Sequence, residues 1–566
     1  QVQAKPHSLR LQVRGFSSEK SCSGLILLQC RMTMVASVLV CCALFQLGEC
    51  GSFMQPGETK AKTPEKHGNV EAHLSLLAEI ELGLGKQRRL AIESRLNGIK
   101  EFLRPIFKAM PKNQQGNLGH LAVLYTLQRY FVQRHGWFVK GLEPGGVSWS
   151  TAISPVEIFH QHVQDGVAAS FERRLRGFGY RLKDISTLIA MLEHLVHEET
   201  LDRLQGAYNA LGLPSTGIMG TTELHQLVEM YMSSYIAGPR TPTLSPESAR
   251  KHLQRIEAIY PTWGALQSFS NSLQQEIVKG KNHSFNAVLV VVEAIADRFG
   301  RFQNRECVDL KMKLAALGDH NTGCVPLANF YGSGKWQFKE TRAYLRQMGA
   351  LDESSADGAR VILPNYVNGP SNCIASSQFY SLCCISECED ILGHLERQIQ
   401  APRAAPTRII EILRGLPAPS GSVNGSLTAF LVRRLEEVAQ RHGGKVPLHG
   451  RLFKQWLHHV YPRECPYPHV GGTTSAVTPE EYRAETGKKP LASLAEMRSV
   501  IAATPLPGAL AFEVDEHPHC TPWREVEELL TPAHASQSDL QDDEYLWSSA
   551  SMVALACATV CSLIML

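Results

Sequence analysis

Apolar residues recur at every third or fourth position along much of the chain, which is the spacing of one buried face of a helix. Two clear stripes run through Ile185, Leu188, Met191, Leu192 and Leu195, and through Phe285, Val288, Val291, Val292, Ile295 and Phe299. Strand-like alternation is rare, and the short run 361–363 is the one candidate that we name. The pattern therefore predicts an all-α, mainly helical body.

Four segments share a helix-loop-helix layout. Their loops are 111–122, 212–223, 318–329 and 439–450, each with a glycine at the sixth position and an apolar residue at the eighth. In chain order these residues are Gly116 and Leu118, Gly217 and Met219, Gly323 and Val325, and Gly444 and Val446. The loops begin 101, 106 and 121 residues apart, which predicts a repeated unit of about one hundred residues. We expect two helical modules, 71–240 and 241–470.

This layout resembles the EF-hand, in which the sixth glycine makes a sharp turn and the eighth residue pairs with a partner loop. The family also needs oxygen ligands at positions 1, 3 and 5 and a bidentate glutamate at position 12. Position 12 is here Ala122, Glu223, Asn329 and Gly450, so only Glu223 matches. The resemblance implies EF-hand-like helix pairs that keep the turn without the metal. Helical hairpins with glycine turns remain an alternative.

Weak calcium binding is the second alternative. Glu223 and Thr216 in the second loop, or Asp319, Thr322 and Asn329 in the third, supply the oxygens for a weak site. Outside the cell, affinities near the millimolar range are sufficient for occupancy. The cofactor expectation is therefore none, or weakly bound calcium.

Eight of the 15 cysteines lie in the body of the chain, between its two apolar ends. An even number in an exported protein predicts disulfides, although eight cysteines allow 105 pairings. The cluster 373–388 also admits a metal site or a reactive thiol. The eight disulfide candidates are Cys307, Cys324, Cys373, Cys383, Cys384, Cys388, Cys465 and Cys520.

A histidine-rich stretch gives a third hypothesis, a Cys/His-dependent enzyme or zinc site. His458, His459, Cys465 and His469 lie within twelve residues, and imidazole and thiolate are the usual zinc ligands. Their spacing matches no established zinc pattern, which favours a helix end followed by a disulfide-tied loop. No catalytic motif is specific enough to name a reaction. The sequence therefore favours a non-enzymatic protein with a binding or structural role.

The first seventy residues predict an export signal. Residues 35–47 form an uncharged, mostly apolar run of 13, too short for a bilayer and typical of a signal-peptide core. We expect the signal peptide at 32–50 and a polar linker at 51–70. Residues 1–31 are expected to be a non-native upstream segment, with translation starting at Met32 or Met34.

The other end predicts a membrane anchor. Residues 546–566 are 21 positions without a charge, and they follow a stretch, 471–545, that we expect to be a less compact stalk. This tail fits either a GPI-attachment signal or a transmembrane helix. We therefore expect a membrane-anchored protein of the secretory pathway, at the cell surface or in an endomembrane lumen. Asn282 and Asn424 are glycosylation candidates.

Charge argues against nucleic acid as a partner. The formal charge is +3, but residues 1–31 hold five basic residues and one acidic residue, so the remaining chain is close to neutral. A neutral body gives no electrostatic reason to bind nucleic acid. The expected partners are the membrane, through the tail, and a protein.

Two stretches carry a second resemblance. Residues 365–389, with Cys383, Cys384 and Cys388, and residues 446–469 resemble a family of uncharacterised exported proteins of single-celled algae. The resemblance extends over most of residues 100–480. It implies export and no particular activity.

Overall fold

The fold is taken from a computed structural model. It describes residues 86–142, 179–238, 245–260, 262–280, 282–318, 322–332, 338–355, 358–374, 376–417, 427–503 and 520–530. This part of the chain is mainly helical, with sixteen α-helices and seven short strands. The expected upstream segment, signal peptide, linker and C-terminal apolar segment lie outside the described residues.

The first helix-loop-helix consists of α1 (Lys86–Ala109) and α2 (His120–His135). Leu118, the eighth residue of its loop, pairs with Tyr180, which precedes α3 (Leu182–Leu211). The two backbones exchange a reciprocal pair of hydrogen bonds, each 2.9 Å long. The loop is therefore held by a second loop distant in sequence.

The second helix-loop-helix uses α3 as its first helix. Met219 pairs with His283 through reciprocal backbone hydrogen bonds of 3.0 and 2.9 Å. Its second helix is α4 (Thr221–Ala237). The helices that follow are α5 (Pro246–Ile259), α6 (Trp263–Ile277) and α7 (Phe285–Ala315), and His283 comes just before α7. The long helices α3 and α7 each end one loop pair and begin the next.

The third loop follows α7 and contains a short strand. Val325 lies opposite Val361 in an antiparallel ladder. The elements are β2 (Cys324–Pro326), α8 (Leu327–Tyr331), α9 (Arg342–Gln347), β3 (Leu351–Asp352), β4 (Arg360–Ile362) and α10 (Leu363–Val367). The strands are ordered β2-β4-β3. The predicted strand at 361–363 is therefore β4 and the first residue of α10.

The fourth loop repeats the arrangement. Val446 lies opposite Ala404 in another antiparallel pair. The elements are α11 (Cys388–Ile399), β6 (Arg403–Ala404), α12 (Pro406–Leu413), α13 (Ala429–Arg441), β7 (Val446–Pro447) and α14 (Arg451–Val460). Each of the four eighth-position residues is thus buried and paired with a second segment.

The sixth-position glycines explain the sharp turns in three loops. Gly116, Gly323 and Gly444 have φ angles of 77°, 76° and 84°, a backbone conformation that residues with a side chain rarely adopt. The second loop differs, since its left-handed residue is Gly212 (φ 69°), where α3 ends. There the turn belongs to the helix C-terminus.

A third small sheet ties the cysteine cluster to the N-terminal helices. In it, β1 (Trp137–Val139) pairs with β5 (Tyr380–Leu382), which follows a 3₁₀ turn at Pro370–Asn372. The main hydrophobic core accordingly includes residues such as Leu103, Val292, Leu382 and Leu435. It crosses the module boundary that we expected at 240, and a second core lies around Phe330 and Tyr366.

Residues 471–545, expected to be a less compact stalk, are described at 471–503 and 520–530. They include α15 (Pro479–Thr486) and α16 (Leu494–Ala503), which bury Tyr482 and Met497 in the second core. Leu530 joins the main core. These stretches therefore belong to the folded body, because a few well-spaced apolar side chains dock them in spite of their polar composition.

The disulfide prediction is confirmed. The structure pairs Cys307 with Cys384, Cys324 with Cys520, Cys373 with Cys383, and Cys388 with Cys465. Four disulfides are typical of an oxidising, secretory-type compartment. None of the described helices combines the length and the hydropathy that a membrane-spanning helix needs.

Candidate functional site

The second loop uses its glutamate as a helix cap. Glu223 Oε2 accepts a hydrogen bond of 2.8 Å from the Gly220 backbone N–H, at the start of α4. A carboxylate at a helix N-terminus is favourable because it binds an N–H group that lacks a partner within the helix. Thr216 is exposed on the same loop. The calcium interpretation of Glu223 and Thr216 stays a prediction, in which calcium competes with the cap.

The third loop is closed by its own polar side chains. Asn329 donates from Nδ2 to the Leu317 carbonyl at 3.0 Å, and Thr322 Oγ1 accepts from the Cys324 N–H at 3.3 Å. Asp319 lies outside the described residues. Asn329 and Thr322, two of the three calcium-ligand candidates in this loop, thus form hydrogen bonds within the protein.

The fourth loop receives side chains from the C-terminal part of the chain. His442 Nε2 lies 2.8 Å from Glu527 Oε2, and Arg441 is ion-paired with Glu525. Arg441 is at position 3 of this loop, which carries a cation ligand in EF-hands, so a basic residue that binds a carboxylate stands there instead. In the part of the chain that the structure describes, no group of three or more His, Cys, Asp or Glu side chains is arranged to hold a metal ion.

The Cys/His stretch is similarly occupied. His458 lies between the Cys465 carbonyl, at 2.7 Å, and Thr521 Oγ1, at 2.9 Å. His469 Nε2 lies 2.7 Å from the Gly349 carbonyl. Cys465 is in a disulfide with Cys388, and a disulfide sulfur is neither a thiolate nucleophile nor a thiolate ligand. The structure does not bring these side chains together as a zinc site.

Residues that the sequence analysis did not select line a cavity between helices. Its volume is about 710 Å³, within the range of small-molecule sites. It lies among α1, α2, α3 and α7. The side chains that carry its chemistry are Arg95, Tyr130, Arg134, His135, Glu193, His197, Glu293, Asp297 and Arg301. We call it the charged cleft.

His135, at the end of α2, is the centre of the charged cleft. Its Nδ1 lies 2.5 Å from Asp297 Oδ1, and its Nε2 lies 3.0 Å from Glu193 Oε1. The Tyr130 hydroxyl donates to the same Glu193 oxygen at 2.7 Å. The imidazole stacks on Trp137, with ring centres 4.3 Å apart. The cluster therefore joins α2, α3 and α7 through one side chain.

These contacts shift the pKa values of the side chains around His135. Burial opposes the charged imidazole, but the hydrogen bonds to Asp297 and Glu193 outweigh it and raise the pKa of His135. Burial likewise opposes the carboxylates, yet the bonds to His135 lower the pKa of Glu193 and of Asp297. Burial, followed by the charge of Glu193, raises the pKa of Tyr130. A protonated His135 between two carboxylates is the favoured state.

This arrangement favours binding over catalysis. Both ring nitrogens of His135 are held by carboxylates, so neither is directed at a substrate as an acid or base. A second pair, His197 with Glu293, connects α3 to α7. The Glu293 and Asp297 side chains are 37% and 35% exposed, so both carboxylates remain accessible to a ligand.

Sequence reasoning missed the charged cleft because its residues are far apart in the chain. One signal was available: Glu193 and His197 on α3, and Glu293 and Asp297 on α7, are each four residues apart and share a helix face. Those polar pairs sit beside the apolar stripes of α3 and α7.

Comparison of the chain with protein-family models, with curated proteins and with solved structures gives no match. The resemblance to exported algal proteins therefore stays a prediction. The functional argument rests on the loops, the disulfides and the charged cleft.

Proposed function

We propose that this protein is an exported, non-enzymatic binding protein whose body consists of EF-hand-like helix-loop-helix pairs that are closed without calcium. One observation carries the proposal: at all four loops the apolar eighth residue pairs with a second segment. In three of these loops, polar side chains instead cap a helix or bond within the protein, as Glu223, Asn329 and His442 do. Pairing without a ligand set supports a structural role for the loops.

The binding site of this proposal is the charged cleft. Arg95 and Arg134 line it from α1 and α2, whereas Glu293 and Asp297 line it from α7. A ligand with both signs of charge complements these walls, which favours a free amino acid or a short peptide. Burial of such a ligand in a cavity of about 710 Å³ strengthens its ionic contacts.

Export and anchoring complete the proposal. Four disulfides support a secretory-type compartment, and Asn282 is exposed as a glycosylation acceptor requires. Asn424 and the C-terminal segment 546–566 lie outside the described residues, so the second sugar site and the membrane anchor rest on sequence alone. The anchor is proposed as a GPI signal or a transmembrane helix.

Calcium titration calorimetry tests the loops. The purified protein, with its disulfides intact, is expected to give no saturable heat up to roughly millimolar calcium, the affinity range of extracellular modules. The Glu223→Gln variant is expected to behave identically. Saturable heat that disappears in Glu223→Gln would overturn the proposal and establish the calcium-binding alternative in the second loop.

Thermal-shift measurements with the twenty free amino acids test the charged cleft. At least one is expected to raise the melting temperature, and its N-acetyl amide, which lacks both charges, is not. Asp297→Asn is expected to remove the shift, whereas Asp309→Asn, on the exposed face of α7, is not. Equal shifts in both variants would place the ligand elsewhere.

A further inference from the structure

Residues 520–530, which we call the acidic segment, lie along α14 with their backbone carbonyls bonded in alternation. The Tyr467 hydroxyl donates to the Pro522 carbonyl at 2.9 Å. The Arg451 guanidinium donates to the carbonyls of Arg524 at 2.5 Å and Val526 at 2.6 Å. The Arg451 backbone N–H donates to the Glu528 carbonyl at 2.9 Å. Every second carbonyl is thus bound, which is how proteins bind extended peptides.

Arg451, which binds three of these four carbonyls, is itself buried and positioned by further hydrogen bonds. Arg451 is 3% exposed, and its guanidinium also donates to Gln455 and to the Pro468 carbonyl. A buried guanidinium needs such acceptors, because leaving its donors unpaired is costly. The acidic segment supplies two of these acceptors through its backbone.

Carboxylates of the acidic segment contact the fourth loop. Glu525 is ion-paired with Arg441, and Arg434 lies 3.4 Å from the same carboxylate. Glu527 accepts from the Leu452 N–H at 3.0 Å, at the N-terminus of α14, besides its contact with His442. Negative charge at a helix N-terminus is favourable. The contacts at the fourth loop therefore select for acidic side chains.

An aromatic anchor precedes the carboxylates. The Trp523 ring lies 5.2 Å from the Arg434 guanidinium and 5.6 Å from the His459 ring. Partly buried aromatic side chains next to charged contacts are frequent binding determinants in peptide recognition. The groove thus reads an aromatic residue followed, two and four residues later, by glutamates.

We propose that the groove formed by α13, the loop 439–450 and α14 is a binding site for extended acidic peptides with an aromatic anchor, and that the acidic segment is its built-in occupant. A similar segment of a partner protein enters when residues 521–530 leave the groove, while Cys520 stays bonded to Cys324. The attachment of the acidic segment to the chain gives it a high effective concentration, so it excludes weaker competitors. This site is separate from the charged cleft and from calcium binding.

The test uses the full chain and a fluorescein-labelled synthetic peptide of residues 521–530. In the variant Trp523→Ala/Glu525→Ala/Glu527→Ala, the chain's own segment loses the contacts of these three side chains with the groove. Fluorescence anisotropy is expected to show that the affinity of the peptide for this variant is at least tenfold higher than its affinity for the wild-type protein. A peptide with glutamine in place of both glutamates is expected to bind at least tenfold more weakly.

Two further substitutions in the same variant locate the site. Arg441→Ala is expected to abolish binding, while Arg433→Ala, on the exposed face of α13, is expected to leave it unchanged. Equal binding to wild type and variant, or no binding to a variant whose circular dichroism is native, would overturn the proposal.

A charge exchange covers the case in which the triple variant does not fold. Arg441→Glu and Glu525→Arg are each expected to lower the melting temperature, and the double variant is expected to recover most of the loss. Hydrogen exchange at residues 521–530 is expected to follow the same order. Additive losses would show that the contacts do not hold the segment, and would equally overturn the proposal.

Discussion

The carboxylate of Glu527 occupies the space into which a side chain at Gly450 would project. A Cβ atom at Gly450 would lie 3.0 Å from Glu527 Oε1 and 3.2 Å from Oε2. Gly450 is the twelfth residue of the fourth loop, where the EF-hand family has its bidentate glutamate. A carboxylate is therefore present near this position, but another part of the chain supplies it and it binds a helix N-terminus and His442.

The first prediction concerns Gly450. Its φ is −72°, which any residue adopts, so substitution adds no backbone strain. Gly450→Ala is expected to push the Glu527 carboxylate away from the Leu452 N–H and to cost about 1–2 kcal/mol of stability, the scale of a lost helix cap. Urea unfolding measures this cost.

The matched control for Gly450 is a glycine with room for a side chain. Gly206 lies inside α3, and a Cβ atom added there would have no neighbouring atom within 4 Å. Gly206→Ala is expected to stabilise the protein by about 0.5–1 kcal/mol, because alanine is the better helix former. A Gly450→Ala variant as stable as wild type would show that the Glu527 contact is not required for docking.

The second prediction concerns the loop pairing. Met219 is buried and bonded to His283, whereas its neighbour Ile218 is 73% exposed. Met219→Ala is expected to cost about 2–4 kcal/mol through lost burial and a cavity. Ile218→Ala is expected to change stability by less than about 0.5 kcal/mol. Equal effects in thermal and urea unfolding would contradict the importance of the eighth position.

The sequence pattern identified one side of each loop pair and not the other. An apolar residue after a turn glycine is a local signal, so Met219 and Val446 were recognisable. Their partners, His283 and Ala404, carry no such signal, because the pairing is made by backbone groups that every residue type has. The helices were predictable because apolar periodicity is a local property of the sequence. Their pairing was not, because it depends on tertiary structure.

The charged cleft was even less predictable. His135 binds one carboxylate 58 residues away and another 162 residues away, and only the packing of three helices brings them together. The disulfide partners show the same limit, since Cys324 and Cys520 are 196 residues apart. Residue types indicated that disulfides form, while the fold determines which cysteines meet.

The third prediction is a pH dependence set by His135. Its folded pKa is raised, so its contribution to stability is fully present below the unfolded value of about 6.5 and is lost as pH rises through the folded value. The stability difference between wild type and His135→Gln is therefore expected to shrink from pH 6 toward pH 9. Urea unfolding across this range measures it. A constant difference would mean that the imidazole is not charged in the folded protein.

The fourth prediction is the opposite dependence at His449. Burial, which outweighs the hydrogen bond to Glu396, lowers the pKa of His449, so the folded state binds this proton less well than the unfolded state does. Its contribution is present above about pH 6.5 and is lost as pH falls. The difference between wild type and His449→Gln is expected to shrink toward pH 5. The two histidine variants thus serve as controls for each other, and the same slope in both would contradict these assignments.

The fifth prediction concerns the ion pair between Arg129 and Glu396, which are 2% and 1% exposed and 2.8 Å apart. Glu396→Ala leaves the guanidinium buried with Glu389 as its remaining carboxylate partner in the cluster, and is expected to cost about 3–5 kcal/mol. Arg129→Met/Glu396→Leu removes both charges and is expected to recover much of that loss. The exposed pair Arg408 and Glu411 is the control, and breaking it is expected to cost less than about 1 kcal/mol. A double-mutant cycle separates pairing from packing, because a coupling near zero between Arg129 and Glu396 would mean that the cost of Glu396→Ala comes from a cavity and not from an unpaired charge.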